Sequence, residues 1–394
     1  MKKILILLLL IQIFVNLIGA LGPEVGFDAL WYHLTEAKLF KQQGSIKPIP
    51  GNLLYWSGLP RLGEIIYMFF PGKLVHWFFG VSCALLLYRF SGVVSALLFY
   101  SLLLVGWLST SAYIDLIVTA WLLAAVYSKN LKRIIFIILA CATKLHALVY
   151  SFVISLFPWG VIGILPFALI NLKTTGNLFY PFGQGFGFET EWFFNGFWFW
   201  LSRPLRLFFD PSFRVGPIIL LVYLLNRNFQ PQTLLALLLW FIFPGTDFGR
   251  FALFPLALMA KDSQKLTKLT FILVVFQALI GISGRAYANA KYLPVILGQQ
   301  TQADFLSRNL KFHFGDFYDV DGYFAKNIKP TDKVLIYNIH NLYYVNFPFD
   351  HESWKNPQTN YTHILVGNNN SLPGLPLIYQ NPLTRVKLYL NEPQ

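Results

Sequence analysis

Five ionisable groups stand at the ends of apolar runs: Asp28 in GFDALWYHL, Asp115 in SAYID, Lys144 and His146 in ATKLHAL, and Arg250 in GRFALFP. A carboxylate within reach of a hydroxyl can take its proton as that oxygen attacks. A cation beside an anionic leaving group stabilises the charge that develops there, and the planar arginine fork matches phosphate oxygens. Asp28 and Asp115 are therefore the catalytic candidates. Lys144, His146 and Arg250, with Tyr32 and His33 beside Asp28, are the candidates for binding substrate. The chemistry this set suits is transfer of a sugar from a lipid phosphate to a hydroxyl. No Walker or Rossmann glycine motif is present, and none is needed for a donor that arrives by diffusion in the membrane.

Each residue has a plainer structural alternative. Asp28 is a preferred cap for a helix beginning at Ala29, which would not exclude catalysis. Asp115 suits a cap or a nearby cation, Lys144 a snorkelling boundary, and His33 and His146 simple packing. Arg250 has Asp247 close by as a partner.

The elements that must position these groups follow from composition. Of 394 residues, 56% are hydrophobic, 18% aromatic and only 12% charged, with mean hydropathy +0.53. A soluble domain carries about a quarter charged residues, so most of this chain is expected in lipid. The formal charge of +13 does not indicate nucleic acid, because Lys and Arg are spread thinly between apolar runs. Cys83 and Cys141 both lie in apolar segments, so neither a disulfide framework nor a metal-binding cysteine set is expected.

Apolar stretches near 4–22, 71–88, 90–108, 111–127, 134–143, 146–157, 160–172, 215–226, 232–243, 249–260 and 268–284 give eleven candidate spans. Several are short of the roughly 20 residues a crossing needs. The first run, from Ile4 to about Leu21, exceeds a secretory apolar core, and Gly19-Ala20-Leu21-Gly22 is a poor cleavage site. It reads as an uncleaved helix. Lys2 and Lys3 place the N-terminus in the cytoplasm, and alternation keeps Arg89, Lys129, Lys132, Arg133, Arg227, Lys261, Lys265 and Lys268 there. Asp28, Asp115, Lys144, His146 and Arg250 then share the outer side. So do Lys173, Arg203, Arg206 and Arg214. As a set, these boundary cations suit an anionic ligand at the outer leaflet.

Residues 23–70 form the first outer loop. An amphipathic helix is expected along the membrane from Asp28 to about Gln43, with Leu30, Trp31, Leu34 and Ala37 as its stripe and Gly44 closing it. A second interfacial helix is expected from Leu59 to Phe70, and another in FFNGFWFWL, 193–201. Beyond Arg285 the composition changes. KVLIYN, HILVG, LPLIY and VKLYL, at 333–338, 363–367, 375–379 and 386–390, read as strands. The reading is a mainly α, polytopic membrane protein of about eleven transmembrane helices. It has interfacial helices in the first outer loop and a small C-terminal α/β domain. Residues 1–285 form the transmembrane catalytic domain and 286–394 the extracytoplasmic one.

In their order, GFDALWYHL, SAYID, ATKLHAL, TTGNLFYPF and GRFALFP resemble the polytopic GT-C glycosyltransferases over about residues 1–285. The closest subset is the bacterial protein-mannosyltransferase-like and ArnT-like enzymes that use polyprenyl-phosphate sugars. The resemblance implies an inverting transfer at the outer face of the cytoplasmic (inner) membrane, with Asp28 as the base. It implies a second acid at Asp115, and Lys144 and Arg250 meeting the phosphate. Many relatives carry an Asp-Glu pair where this chain has Asp28-Ala29; Glu24 and Glu36 are not at the family position. The expected partners are a polyprenyl-phosphate sugar donor, a glycan, lipid or protein acceptor, and membrane lipid, with no nucleic acid. No cofactor is assigned, and a divalent cation stays open. Three other classes compete. A lipid or sugar transporter or flippase would carry polar or broken segments at span midpoints. An O-antigen ligase or polymerase would lean less on an acid in the first outer loop. A purely structural membrane protein would need none of these groups.

Overall fold

Backbone buried in lipid must bond to itself, and helices do so within one segment. The computed structural model of the chain describes residues 1–183, 198, 201–242, 249–367 and 370–391, and most of these are helical. They form two compact units. The first is Met1–Leu21 with Gly58–Leu293; the second is Gly22–Ser57 with Pro294–Gln394.

In the first unit, four helices are long and apolar enough to cross a bilayer: Lys2–Leu21, Gly72–Ser91, Phe157–Thr175 and Lys268–Ala290. Their outward faces carry large apolar side chains, including Leu10, Phe14, Phe78, Leu169, Ile272 and Phe276. Such surface suits contact with lipid, as in an integral membrane protein. Eleven spans were expected. The remaining apolar runs fold as shorter helices: Val93–Tyr100, Leu103–Leu108, Asp115–Tyr127, Asn130–Thr143, Ala147–Val153, Ile218–Asn226, Pro231–Ile242 and Leu253–Asp262.

The run read as one span over 90–108 is broken between Tyr100 and Leu103. Tertiary contacts make the break. Gly281 packs against the Ser101 carbonyl with no room for a Cβ, and the Leu104 N–H donates to the Arg214 carbonyl at 2.8 Å. Polar side chains join these helices. Gln277 Nε2 donates to the Leu98 carbonyl and Ser101 Oγ at 2.7 and 2.8 Å, and Asn289 Nδ2 donates to the Val15 carbonyl at 2.8 Å. Between helices in lipid such bonds contribute about 0.6–2 kcal/mol each. Cys83 and Cys141 are both buried and free.

The second unit is built on a five-stranded sheet: β1 Val334–Tyr337, β2 Phe349–His351, β3 His363–Val366, β4 Leu377–Gln380 and β5 Lys387–Leu390. The order is β2-β1-β3-β5-β4. β1 runs parallel to β2 and β3, while β5 runs antiparallel to β3 and β4. Four strands match the sequence reading. β2 does not, because three residues after a proline carry no alternation to read.

The segment 22–57 belongs to this unit. Its expected helix starts as one π-wound turn, Ala29–His33, and continues as Leu34–Gln43. Gly44 closes it at φ +63°, a left-handed position that glycine adopts without strain. Leu30, Leu34, Ala37 and Phe40 are buried by protein. Lys38 Nζ donates to the carbonyls of Leu342, Tyr343 and Val345 at 2.9, 2.9 and 2.5 Å. Burial lowers this lysine toward about 7, while three carbonyl acceptors, one for each N–H, favour its charged form. The helix expected over Leu59 to Phe70 forms only over Leu62–Tyr67, with Pro71 just beyond. The helix read in 193–201 lies almost wholly outside the described residues.

Candidate functional site

Asp115 opens the helix Asp115–Tyr127 and is buried. Lys144 stands in extended backbone between Asn130–Thr143 and Ala147–Val153. That break lets its side chain turn inward, and its Nζ lies 2.7 Å from Asp115 Oδ1. Asp115 Oδ2, also buried, accepts no hydrogen bond among the described residues. Of the alternatives for Asp115, pairing is the one observed; its side chain does not cap the helix.

Aromatic rings carry the cations. Lys144 lies 4.6 Å from the Phe251 ring centre, and the Arg250 guanidinium lies 5.4 Å from both Phe251 and Tyr113. His146 packs edge-on against Phe251 at 5.3 Å and Tyr150 at 5.9 Å. Tyr150 Oη donates to the Phe251 carbonyl at 2.7 Å, which fixes the shared ring. Two cations thus converge on one aromatic ring, and one of them pairs with the buried carboxylate. Asp247, the alternative partner of Arg250, lies outside the described residues.

His76 sets this end of the helix. Leu116 N–H donates to His76 Nε2 at 2.9 Å, so the ring proton is on Nδ1. From there it reaches the Leu108 and Ser111 carbonyls at 2.7 and 2.8 Å. One buried imidazole therefore ties together both sides of the loop that leads to Asp115. Tyr67 Oη also donates to the Tyr113 carbonyl.

The remaining candidates, Asp28, Tyr32 and His33, are in the second unit. Asp28 precedes the π-wound turn, but its side chain makes no cap bond. Instead Tyr32 Oη donates to Asp28 Oδ2 at 3.0 Å. Tyr32 packs against His33 at 4.2 Å and Trp56 at 5.5 Å, and Tyr55 against Trp56 at 4.3 Å. Burial first, and the Asp28 charge second, push the Tyr55 phenol up. His33 is buried and packed, as its plainer reading had it. Glu24 Oε1 accepts from the backbone N–H of Val25 and Gly26 at 2.9 and 2.8 Å, so that carboxylate braces its own loop. Glu36 is buried in the helix Leu34–Gln43.

The candidates therefore fall into two groups. Asp115, Lys144, His146 and Arg250 gather in the first unit, and Asp28, Tyr32 and His33 in the second. Among the described residues, no three His, Cys, Asp or Glu side chains gather as metal ligands. The sequence reading missed Tyr113, Phe251, Tyr55 and His76 as site residues. The first two neighbour Asp115 and Arg250 in sequence, the one signal that marked them.

No family model and no curated protein matches the chain. Solved structures do match by fold. The crystal structure of ArnT from Cupriavidus metallidurans bound to undecaprenyl phosphate superposes with a TM-score of 0.57 at 13% identity, over 100% of this chain and 99% of that one. The same protein in the apo state gives 0.57 at 11% identity, over 99% of each chain. At such identity the likeness is one of fold, and it runs from end to end. Over its whole length this chain has an ArnT-like fold, the fold that its sequence motifs implied for about residues 1–285.

Proposed function

We infer that this chain is a membrane glycosyltransferase that moves a sugar from a polyprenyl-phosphate donor to an acceptor hydroxyl, with inversion. Asp28 takes the hydroxyl proton as that oxygen attacks the anomeric carbon. The bond from that carbon to phosphate breaks, its electron pair stays on the phosphate oxygen, and polyprenyl phosphate departs. Lys144 and Arg250 stabilise the departing phosphate. Asp115, paired with Lys144, holds that ammonium charged and in place. Tyr32 orients the Asp28 carboxylate through its 3.0 Å bond. The reaction faces the outside of the cytoplasmic membrane, with the N-terminus in the cytoplasm and the C-terminal domain outside.

One observation carries this reading. Lys144 and Arg250 share the Phe251 ring, and Lys144 pairs with a buried carboxylate, in a chain folded like a protein that binds undecaprenyl phosphate. Charges so placed are costly in lipid and mark function. The test is mass spectrometry of lipid that copurifies with the full chain. A polyprenyl phosphate or its glycosylated form is expected with the wild type and lost from Lys144→Ala/Arg250→Ala. Retention by that variant would exclude the phosphate assignment.

A further inference from the structure

Within the first unit, cations and rings alternate in a row that extends past Arg250. Tyr113, under Arg250, lies 5.2 Å from Trp107. Trp107 in turn carries the Arg214 guanidinium 4.0 Å from its ring centre. Arg285 reaches the same place from the helix Lys268–Ala290. Its stem fills the space beside Gly106, where a Cβ would come within 2.8 Å of it. Its Nη2 donates to Thr110 Oγ1 and Asn289 Oδ1 at 2.6 and 2.8 Å. Arg214 thus lies over Trp107 while the Arg285 stem packs on the preceding residue, Gly106, of the same short helix, and the two charges interact.

The placement is built. Arg214 has φ +57°, a left-handed backbone that non-glycine residues adopt at a cost. Its carbonyl is pinned by the Leu104 N–H at 2.8 Å. Arg285 Nε is buried and makes no hydrogen bond among the described residues. Neither arginine makes an ion pair with a carboxylate among the described residues. Arg214 is exposed, so it can meet a ligand. Two like charges held together at the end of an apolar helix repel, and an anion between them removes that cost.

We propose that Arg214 and Arg285, on the Trp107 ledge, form a second anion subsite that takes a phosphoryl group, distinct from Lys144 and Arg250. Paired guanidiniums suit phosphate, whose oxygens accept from planar forks. The helix that carries Arg285 also presents apolar surface elsewhere along it: Ile280 and Tyr287 are 43% and 88% exposed. That setting matches the basic pockets between membrane helices that hold lipid headgroups. Tyr113 and Trp107 link Arg250 to Arg214 through successive ring contacts. The inference stands whether or not sugar transfer is the reaction.

The test is native mass spectrometry of the full chain in detergent, titrated with dioleoyl phosphatidic acid, with inorganic phosphate as a competitor. Arg214→Gln is expected to weaken phosphatidic acid binding about tenfold, and Arg214→Lys less. The undecaprenyl phosphate binding event that is lost from Lys144→Ala/Arg250→Ala is expected to be unchanged in both. Retention of that second signal shows that the variants are folded. Competition by millimolar phosphate would support a site for free phosphate, and its failure would support a lipid headgroup. Equal phosphatidic acid binding by wild type and Arg214→Gln would overturn the subsite, as would equal uptake of phosphatidylcholine by the wild type.

Discussion

Lys144 Nζ lies 2.7 Å from Asp115 Oδ1, and the carboxylate side chain is only 1% exposed. A buried pair of this kind contributes little net stability, since desolvation offsets the attraction. Removing one partner is different, because it strands a charge. Lys144→Ala is expected to destabilise the protein by about 3–5 kcal/mol. The double variant Asp115→Leu/Lys144→Met should recover most of that and still fail to bind undecaprenyl phosphate. Thermal unfolding and lipid binding, measured on both variants, separate the pair's structural part from its functional part. Full binding by the double variant would make the pair structural only.

His76 is expected to position Asp115 without touching substrate. His76→Phe leaves the Leu116 N–H and the carbonyls of Leu108 and Ser111 without their ring partner. Each unsatisfied buried group costs about 1–3 kcal/mol. Amide exchange over the start of the helix Asp115–Tyr127 should rise, and turnover should fall with it. Unchanged exchange at Leu116 would contradict the role.

The second unit carries a pH dependence of its own. Burial, and then the neighbouring charge of His340, lower His351 to about 4. Its unfolded value is about 6.5. Between those values the unfolded chain binds a proton that the folded chain does not, so stability falls as pH falls through that window. The full effect is roughly 3 kcal/mol. Amide exchange in β1 and β2 of the full chain, corrected for intrinsic rates, should be faster at pH 5 than at pH 7. His351→Gln should flatten the difference. An equal slope in that variant would assign the effect to other groups.

The sequence was legible where a residue type was rare. In a chain with 12% charged residues, Asp115, Lys144 and Arg250 stand out against apolar neighbours; the structure brings the two cations to one ring and pairs Asp115 with Lys144. Phe251 and Tyr113 did not stand out, because aromatics make up 18% of the chain and no spacing separates a site ring from a packing ring. The break at Ser101 and Leu102 was invisible because both sides are equally apolar. Only Gly281 and the Arg214 carbonyl, distant in sequence, impose it. Lys38 drew no reading from the sequence. Its acceptors lie some three hundred residues away, beyond the reach of any local pattern.

The most direct test of sugar transfer with Asp28 as base is turnover of a polyprenyl-phosphate sugar by membranes containing Asp28→Asn. Release of polyprenyl phosphate is expected to fall by about 10²–10⁴-fold, the usual worth of a general base, with donor binding and expression as in the wild type. Turnover by Asp28→Asn at the wild-type rate would contradict the account.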